Sequence, residues 1–289
     1  MTVRRLLVIH NPVAGARRRR RYEATLAALA DAGCAVTVHE TRGRGDAEEI
    51  SRAQHGSFDA VVAAGGDGTI NEVANGLAGA ATPLGVIPLG TANVLAAEAG
   101  LPLAPARVAE VLSRGRSRAV FAGIANGRHF LMMAGVGFDA RTVARLRPQM
   151  KRRFGKGAYA AAAFEEWWDN SLPRYTVAID GVAAEVASIV VSKGRCYGGA
   201  FVLAPRADLG VAQFETVSLP HASRGALLAL GSALALRAPA PSSAVRMALA
   251  QRIQISGPIG EPVQADGDIV AHLPVDITVA PDPLQLLAP

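Results

Sequence analysis

Short apolar runs alternate with longer amphipathic stretches over roughly the first hundred residues. Arg5-Leu6-Leu7-Val8-Ile9 predicts a buried strand that ends at His10-Asn11-Pro12. Tyr22 to Ala32 repeats its apolar residues at helical spacing and stops at Gly33. Ala35–His39 predicts a second strand, Asp46 caps a helix that runs to about Gln54, and Phe58–Ala64 predicts a third strand. A helix follows over Val73–Leu77. Pro83–Pro88 predicts a fourth strand, with a helix from Val94. Strand–helix alternation of this kind predicts a parallel, doubly wound sheet, in which ligands bind beyond the carboxyl ends of the strands. The loops Asn11–Gly15, Thr41–Asp46, Gly65–Thr69 and Gly90–Asn93 all follow strands and are expected to converge on one cleft.

The pattern changes after about residue 118. Ala119–Ala125, His129–Ala134, Tyr175–Asp180, Glu185–Lys193, Phe214–Leu219, Arg246–Ile255 and Pro262–Gln264 predict strands, with Asn126-Gly127-Arg128 as a hairpin signal. Helices are predicted at about Ala158–Trp168 and Ser223–Leu236. The expected organisation is an α/β domain over 1–118 and a strand-rich domain over 119–274. The last strand, Val275–Val279, is expected to return with the segment 275–289 to the first domain.

Composition adjusts this picture in two ways. Hydrophobic residues make up 50% and aromatics 5%, so the core must be built from Ala, Val and Leu, and nothing suggests disorder. Thirty Lys+Arg against 24 Asp+Glu give a formal charge of +6, and the excess is clustered. Arg17 to Arg21 form one block; Arg141, Arg145, Arg147, Lys151, Arg152, Arg153 and Lys156 form another. Such blocks are either solvated helix faces or attractors of polyanions: an anionic membrane surface, a nucleotide or a nucleic acid. Nucleic acid is not expected as a partner, because the basic segments lack interleaved aromatics. Cys34 and Cys196 match no metal spacing and are expected to be buried, reduced thiols. The N-terminus has no signal-peptide shape and no apolar stretch reaches the length of a membrane span, so a cytoplasmic chain is expected.

The candidate chemistry lies in Gly65-Gly66-Asp67-Gly68-Thr69-Ile70-Asn71-Glu72. A glycine-rich turn between a buried strand and a helix points backbone amides outward at the positive end of the helix, which suits phosphate. Glycine lets the backbone approach an anion that a Cβ would block. Asp67 adds a carboxylate able to hold Mg²⁺ or orient it through water, and Thr69 and Asn71 add donors. The structural alternative is a tight turn with Thr69 or Asp67 as helix cap. Elsewhere, Gly135-Val136-Gly137-Phe138-Asp139-Ala140 fits a dinucleotide pattern but is better explained as a tight turn, and a P-loop with Gly-Lys-Ser/Thr is absent. His10, near the first loop, is placed to touch a ligand but is more often structural.

Four stretches in order carry a resemblance: Asn11-Pro12-Val13-Ala14-Gly15; Thr41 with Gly45-Asp46-Ala47; the Gly65–Glu72 loop; and Pro88-Leu89-Gly90-Thr91-Ala92-Asn93. Together they resemble the diacylglycerol-kinase catalytic family in its bacterial soluble form, related to sphingosine and ceramide kinases. The resemblance continues through Gly135–Asp139, Tyr197-Gly198-Gly199, Ala204-Pro205-Arg206-Ala207 and Asp266-Gly267-Asp268. NAD kinases share the Gly-Gly-Asp-Gly-Thr loop, but the opening Asn-Pro-x-x-Gly and the Pro-Leu-Gly-Thr-x-Asn stretch are more similar to lipid kinases.

The resemblance implies a nucleotide-binding α/β domain, a β-sandwich domain, and ATP with Mg²⁺ in the cleft between them. It implies nucleotide positioning by Asn11, Pro12, Gly15, Thr41, Gly65, Gly66, Asp67, Gly68, Thr69, Asn71, Glu72, Gly90, Thr91 and Asn93, with Asp67 and Asp268 as the catalytic carboxylates. The family's base is the last acidic residue of an Asp-Gly-Glu motif; here it is Asp268, one methylene shorter. The family also carries an Asp-Gly-Leu that holds an accessory Mg²⁺. Val211 and Ala212 fall at that place, so this metal is expected to be missing.

The expected activity is ATP-dependent phosphorylation of the hydroxyl of a diacylglycerol-like or sphingoid lipid by a protein that visits the membrane peripherally. An NAD-kinase-like phosphotransferase acting on a soluble alcohol, and a nucleotide- or lipid-binding protein without catalysis, remain open. So does the oligomeric state, a homodimer included.

Overall fold

The first apolar run forms β1 (Arg5–His10), in which Leu6, Leu7, Val8 and Ile9 are all inaccessible to solvent. A strand buried on both faces belongs in the middle of a parallel sheet. In the computed structural model, which describes residues 4–15, 18–146, 156–169, 171–236, 238 and 243–289, β1 sits inside a six-stranded sheet. The order is β2 (Ala35–Glu40), β1, β3 (Ala60–Gly65), β4 (Leu84–Pro88), β20 (Leu284–Ala288) and β5 (Arg116–Val120). The first five are parallel and β5 is antiparallel to β20. β2 is the edge strand and is largely exposed. The chain steps outward from β1 to β2 and then back across to β3, so the sheet changes direction between β1 and β3. That switch point is where loops at the carboxyl ends splay apart and leave a crevice.

The connecting helices are α1 (Arg19–Asp31), α2 (Asp46–Gln54), α3 (Asp67–Gly76), α4 (Val94–Glu98) and α5 (Pro105–Arg114). On one side of the sheet, Leu29 of α1 and Val108, Val111 and Leu112 of α5 pack with Leu6, Val8, Val62, Ile87 and Leu287. Helix α5 has no counterpart in the sequence-based expectation, although Pro105 at its first turn is a helix-start signal.

The chain divides into two compact units, Met1–Phe121 with Pro281–Pro289, and Ala122–Ala280. The second unit is an antiparallel sandwich. One sheet has the order β10 (Val182–Val186), β9 (Tyr175–Ile179), β16 (Arg252–Ser256), β19 (Val275–Val279), β6 (Gly123–Ala125), β7 (Arg128–Phe130). The other has β15 (Arg246–Ala250), β14 (Phe214–Leu219), β11 (Ser188–Ser192), β8 (Met133–Val136), β17 (Pro262–Ala265), β18 (Asp268–His272). A short pair, β12 (Cys196–Tyr197) with β13 (Phe201–Val202), stands apart. Alternating residues Tyr175, Val177, Ile253, Ile255 and Ile277 of the first sheet meet Val136, Ile189, Val191, Phe214 and Val263 of the second. Helices α6 (Phe138–Arg145), α7 (Lys156–Asp169) and α8 (Arg224–Ala235) complete this unit.

Several expectations are corrected. Val275–Val279 does not return to the first sheet: it pairs with β16 and β6, and Leu284–Ala288 makes the return beside β4 and β5. Val275 and Ile277 bury only alternate side chains, which suits a sandwich, whereas Leu284, Leu286, Leu287 and Ala288 are nearly all buried, which suits the interior of the α/β sheet. Arg246–Ile255 is two strands in different sheets. The chain turns at Gln251, where the Asp180 carboxylate accepts the N–H groups of Gln251 (3.0 Å) and Arg252 (2.8 Å). Gly135–Ala140 is a strand-to-helix junction rather than a tight turn: Gly137, at φ 86°, links β8 to α6. Cys196 is buried but Cys34 is half-exposed.

Candidate functional site

The glycine loop forms as its residue types demand. β3 ends at Gly65, and α3 begins at Asp67. The first α3 amide to turn back along the helix is that of Ile70, onto the Gly66 carbonyl (3.1 Å). The amides of Gly68 and Thr69 therefore project past the helix end, where the partial positive charge lies. Gly66 and Gly90 permit a close approach of two strand-end loops: a Cβ on Gly90 would lie 2.6 Å from the Cα of Gly66. A Cβ on Gly65 would lie 2.5 Å from the Thr69 hydroxyl oxygen.

Side chains brace the loops against each other. The two oxygens of Asp67 accept the amides of Asn93 (3.0 Å) and Val94 (2.7 Å), so Asp67 caps α4 from across the sheet. Burial pushes its carboxyl above the usual carboxylate range, against the pull of the amides it accepts. Asn11 donates from Nδ2 to the Thr69 hydroxyl (3.2 Å) and accepts the Val13 amide (3.1 Å) where Pro12 opens a single helical turn, Pro12–Gly15. Glu72 accepts the amide of Gly45 (3.0 Å). Thr41 is held by its own amide on the His10 carbonyl (2.9 Å). His10 itself stacks on Tyr22 at 3.9 Å between ring centroids and reaches Glu40, a structural role as expected.

These contacts enclose a pocket of about 270 Å³ lined by Asn11, Val13, Thr41, Arg42, Gly43, Arg44, Gly68, Thr69 and Glu72. The four predicted loops do meet, through Asn11–Thr69, Gly45–Glu72, Gly66–Gly90 and Asp67–Asn93. Two arginines, 42 and 44, line the pocket and were not singled out in the sequence. Of the predicted residues, Asn11, Thr41, Gly68, Thr69 and Glu72 line it, and Pro12, Gly15, Gly65, Gly66, Asp67, Asn71, Gly90, Thr91 and Asn93 do not. Asn71 is engaged along α3 with Asn75 (3.0 Å), Thr91 is exposed on its loop, and Asn93 is buried with its backbone in the left-handed region at φ 49°. The Asn93 Oδ1 is buried without a hydrogen-bond partner among the described residues.

In the second unit, Asp266 (φ 48°) and Gly267 (φ 84°) form the tight turn between β17 and β18, and Asp268 is the first residue of β18. The Asp266 carboxylate accepts the amides of Leu131 (2.7 Å), Met132 (2.9 Å) and Met133 (3.1 Å), which pins the turn to the start of β8. The Gly267 amide donates to Gln264 Oε1 (2.9 Å); this fixes the Gln264 amide group, so that Nε2 donates to Asp139 (2.5 Å). Asp139 also accepts the Tyr197 hydroxyl (2.5 Å). Three stretches noted in the sequence, Gly135–Asp139, Tyr197–Gly199 and Asp266–Asp268, thus join in one buried network behind the turn. Burial raises both the Asp139 carboxyl and the Tyr197 hydroxyl above their ordinary values.

The arginine block at 141–156 is corrected in part. Arg141 pairs with Glu166 (2.8 Å) and Glu261 (3.1 Å), and Arg145 with Glu166 (2.5 Å) and Asp169 (2.5 Å), so these two tie α6 to α7. Glu166 is wholly buried between them. In the other block, Arg19 pairs with Glu23 (2.7 Å). Arg17, Arg147, Lys151, Arg152 and Arg153 lie outside the described residues.

Residues 5–124 match the diacylglycerol kinase catalytic domain, and residues 132–288 match the YegS C-terminal NAD kinase beta sandwich-like domain. The chain belongs to the diacylglycerol-kinase catalytic family. It is 32% identical over 300 residues to a Pseudomonas aeruginosa (strain UCBPP-PA14) protein named Probable lipid kinase YegS-like, covering 96% of this chain and 97% of that one. It is 31% identical over 228 residues to a protein of Bacillus subtilis (strain 168) named Diacylglycerol kinase, covering 76% and 75%. A crystal structure of a diacylglycerol kinase from Bacillus anthracis str. Sterne shares the fold, with a TM-score of 0.77 at 20% identity over 100% of this chain and 98% of that one. As a member of this family the protein is a phosphotransferase.

The site generates two predictions. Asp67→Ala leaves the Asn93 and Val94 amides unpaired, at a cost of about 1–3 kcal/mol each where water does not reach them. The sum, roughly 2–6 kcal/mol, lies at or below the lower end of the roughly 5–15 kcal/mol holding a typical domain. The variant should keep its thermal transition yet lose phosphoryl transfer by about a hundredfold, since small displacements of positioned groups have effects of that size. Near-normal turnover would remove the brace from the mechanism.

The second concerns pH. The folded-state value of Asp139 lies above its unfolded value, so its contribution to stability is full below about pH 4 and declines as pH rises through the folded value. The unfolding free energy of wild type minus that of Asp139→Asn should therefore fall from pH 4 to pH 7. Urea titrations at several pH values measure it, and a difference that grew would contradict the assignment.

Proposed function

We propose that the protein transfers the γ-phosphoryl group of ATP to the hydroxyl of a diacylglycerol-like or sphingoid lipid. The observation that carries the reading is the pocket at the switch point of the first sheet, where the Gly68 and Thr69 amides at the N-terminus of α3 share a wall with Arg42 and Arg44. A polyphosphate chain is the ligand this chemistry suits. The orphaned Asn93 Oδ1 supports a nucleotide further, because a hydroxyl donor from the ligand would satisfy it.

ATP supplies the phosphoryl group, and the Mg²⁺ that accompanies it neutralises the charge that develops in transfer. Asn11, Thr41, Gly68 and Thr69 donate to phosphate oxygens. Asp67 belongs to this loop, and it would meet Mg²⁺ through lone pairs left over from the two amides it accepts, directly or through water. Asp268 accepts the proton of the lipid hydroxyl as the lipid oxygen takes up the phosphoryl group. Asp266, Gln264 and Asp139 are positioning residues: they hold the turn from which Asp268 extends.

Transfer of radiolabel from ATP to a lipid extract, run beside NAD and a lipid-free control, tests the reading. Label in lipid alone is expected; label in NAD would favour a soluble acceptor, and label in neither would favour a binding protein. Asp268→Asn should cut turnover steeply with ATP affinity near normal. Asp268→Glu distinguishes a backbone fitted to aspartate, where activity falls, from a merely short side chain, where activity rises. Unchanged turnover in Asp268→Asn would exclude it as the base.

The acceptor lipid resides in a bilayer, and no helix among the described residues is long and apolar enough to cross one. We propose peripheral docking through the outer faces of α7 and α8. After Arg224, α8 carries no charge, yet Leu228 is 61% exposed and Leu236, just past its end, 79%. On α7, Phe164 and Trp168 are likewise exposed, and Trp168 carries the Arg224 guanidinium over its ring at 5.7 Å. Aromatic rings beside a cation match the headgroup region of an anionic membrane. Replacing Trp168 and Leu228 by Ser should abolish sedimentation with anionic liposomes while sparing activity on a dispersed short-chain diacylglycerol. Binding equal to wild type would move the contact elsewhere, for example to the arginine blocks, whose binding alone should vanish at high salt.

A further inference from the structure

Lys193 is the largest buried cation among the described residues, with no solvent-accessible surface, and it follows directly after β11. Its ammonium donates to three main-chain carbonyls of one loop: Asp208 (3.1 Å), Gln213 (3.0 Å) and Val211, the closest of the three. A cluster of main-chain oxygens converging from within six residues is how a loop binds a hard cation. Here the three oxygens meet the three protons of an ammonium group. Burial pushes Lys193 down to about 8, which leaves it charged at neutral pH, and its cation also lies 5.9 Å from the centre of the Phe214 ring.

Beyond these carbonyls the loop offers a metal ion one carboxylate, that of Asp208, whose charge already acts on Lys193. Val211 and Ala212, at the place of the family's Asp-Gly-Leu, contribute no carboxylate. The buried Glu215 carboxylate is taken by Arg206, through the amide (2.7 Å) and Nε (2.7 Å). Asp208 Oδ1 accepts the Gly210 amide (2.8 Å). No group of three or more His, Cys, Asp or Glu able to hold a metal occurs among the described residues. These residues do not fit an accessory divalent ion.

We infer that the Lys193 ammonium is the resident cation of the 208–213 loop, doing with a covalently attached charge what a bound metal would otherwise do. The consequence reaches the turn that carries Asp268. The Lys193 amide donates to the Met132 carbonyl (2.8 Å), and the Met132 amide donates to Asp266 (2.9 Å). The loop, the end of β11 and the Asp266 turn are therefore one connected piece. Its only requirement for a divalent ion is then the one that comes with the nucleotide.

Thermal unfolding of the full chain without nucleotide tests this, and does not depend on whether the protein phosphorylates lipid. The wild type should melt within about 1 °C of the same temperature in EDTA and in millimolar Mg²⁺, and should hold no stoichiometric divalent ion by elemental analysis after dialysis. A fall in melting temperature on chelation, or one tightly held ion per chain, would overturn the inference without any variant. Lys193→Met should melt at least about 5 °C lower; melting with the wild type would also overturn it. In Lys193→Ala, propylammonium should restore melting temperature where 1-propanol does not. Equal rescue by the two would show that volume, and not charge, is what the loop needs.

Discussion

Main-chain amides left pointing outward at a helix N-terminus impose a constraint on the loops around them. Amides directed at a ligand cannot also hold the loops together, so something else must. In the first unit that task falls to Asp67, Glu72 and Asn11, whose side chains accept or donate across the crevice while the amides of Gly68 and Thr69 stay directed outward. Gly66 and Gly90 meet closely. A Cβ on Gly90 would lie 2.6 Å from the Gly66 Cα, and Asp67 secures the contact by capping the helix that begins just beyond Gly90. The apolar sheet below, from Leu6 to Ile9 and Ala60 to Ala64, sets the spacing of the loop bases but says nothing about how the loops meet.

The second unit meets a similar demand by similar means. The turn between β17 and β18 has to be held in place as well. Asp266 takes the structural load, with three amides on one side chain, and Gln264 passes the constraint from Gly267 to the buried Asp139 and Tyr197. The division of labour within Asp-Gly-Asp follows from backbone geometry: Asp266 and Gly267 occupy the left-handed positions of the turn, and Asp268 already belongs to the strand. A turn pinned at both Asp266 and Gly267 cannot slide to make up a missing methylene, so the length of the side chain at 268 translates directly into reach.

What was legible in the sequence was local. Strand and helix periods, the glycine loop and the Asn-Gly and Asp-Gly turns are encoded over a few residues, and the α/β unit and the sandwich follow from them. What was not legible is set by partners far away in the chain. Arg141 looks like surface charge until Glu166 and Glu261 close on it from 25 and 120 positions away. The sequence does not show that Asp67 also braces two loops, because the amides it accepts come from Asn93 and Val94, 26 and 27 positions on. The split of Arg246–Ile255 into two sheets depends on Asp180, 71 residues earlier. The apolar face of α8 was visible as composition, but whether it lay inside or outside could not be read from period alone.

Buried charge is a costly way to hold a loop, since desolvation can exceed the attraction gained, and replacing both partners together by apolar groups is often as stable, although removing one alone is not. Its use at Glu166, Glu215, Asp139 and Lys193 therefore calls for a reason beyond stability. Apolar contacts are tolerant of small slips; a carboxylate held by two donors, or an ammonium held by three acceptors, is satisfied at one position only. Each of these groups lies where a connection must be held in one place: α6 against α7, the Arg206 segment against β14, the Asp266–Gly267 turn, and the loop after β13. A metal ion would provide the same directional hold but would add dependence on its supply and could exchange. A lysine carries the charge in the chain, and the loop it orders is then complete as soon as the chain folds.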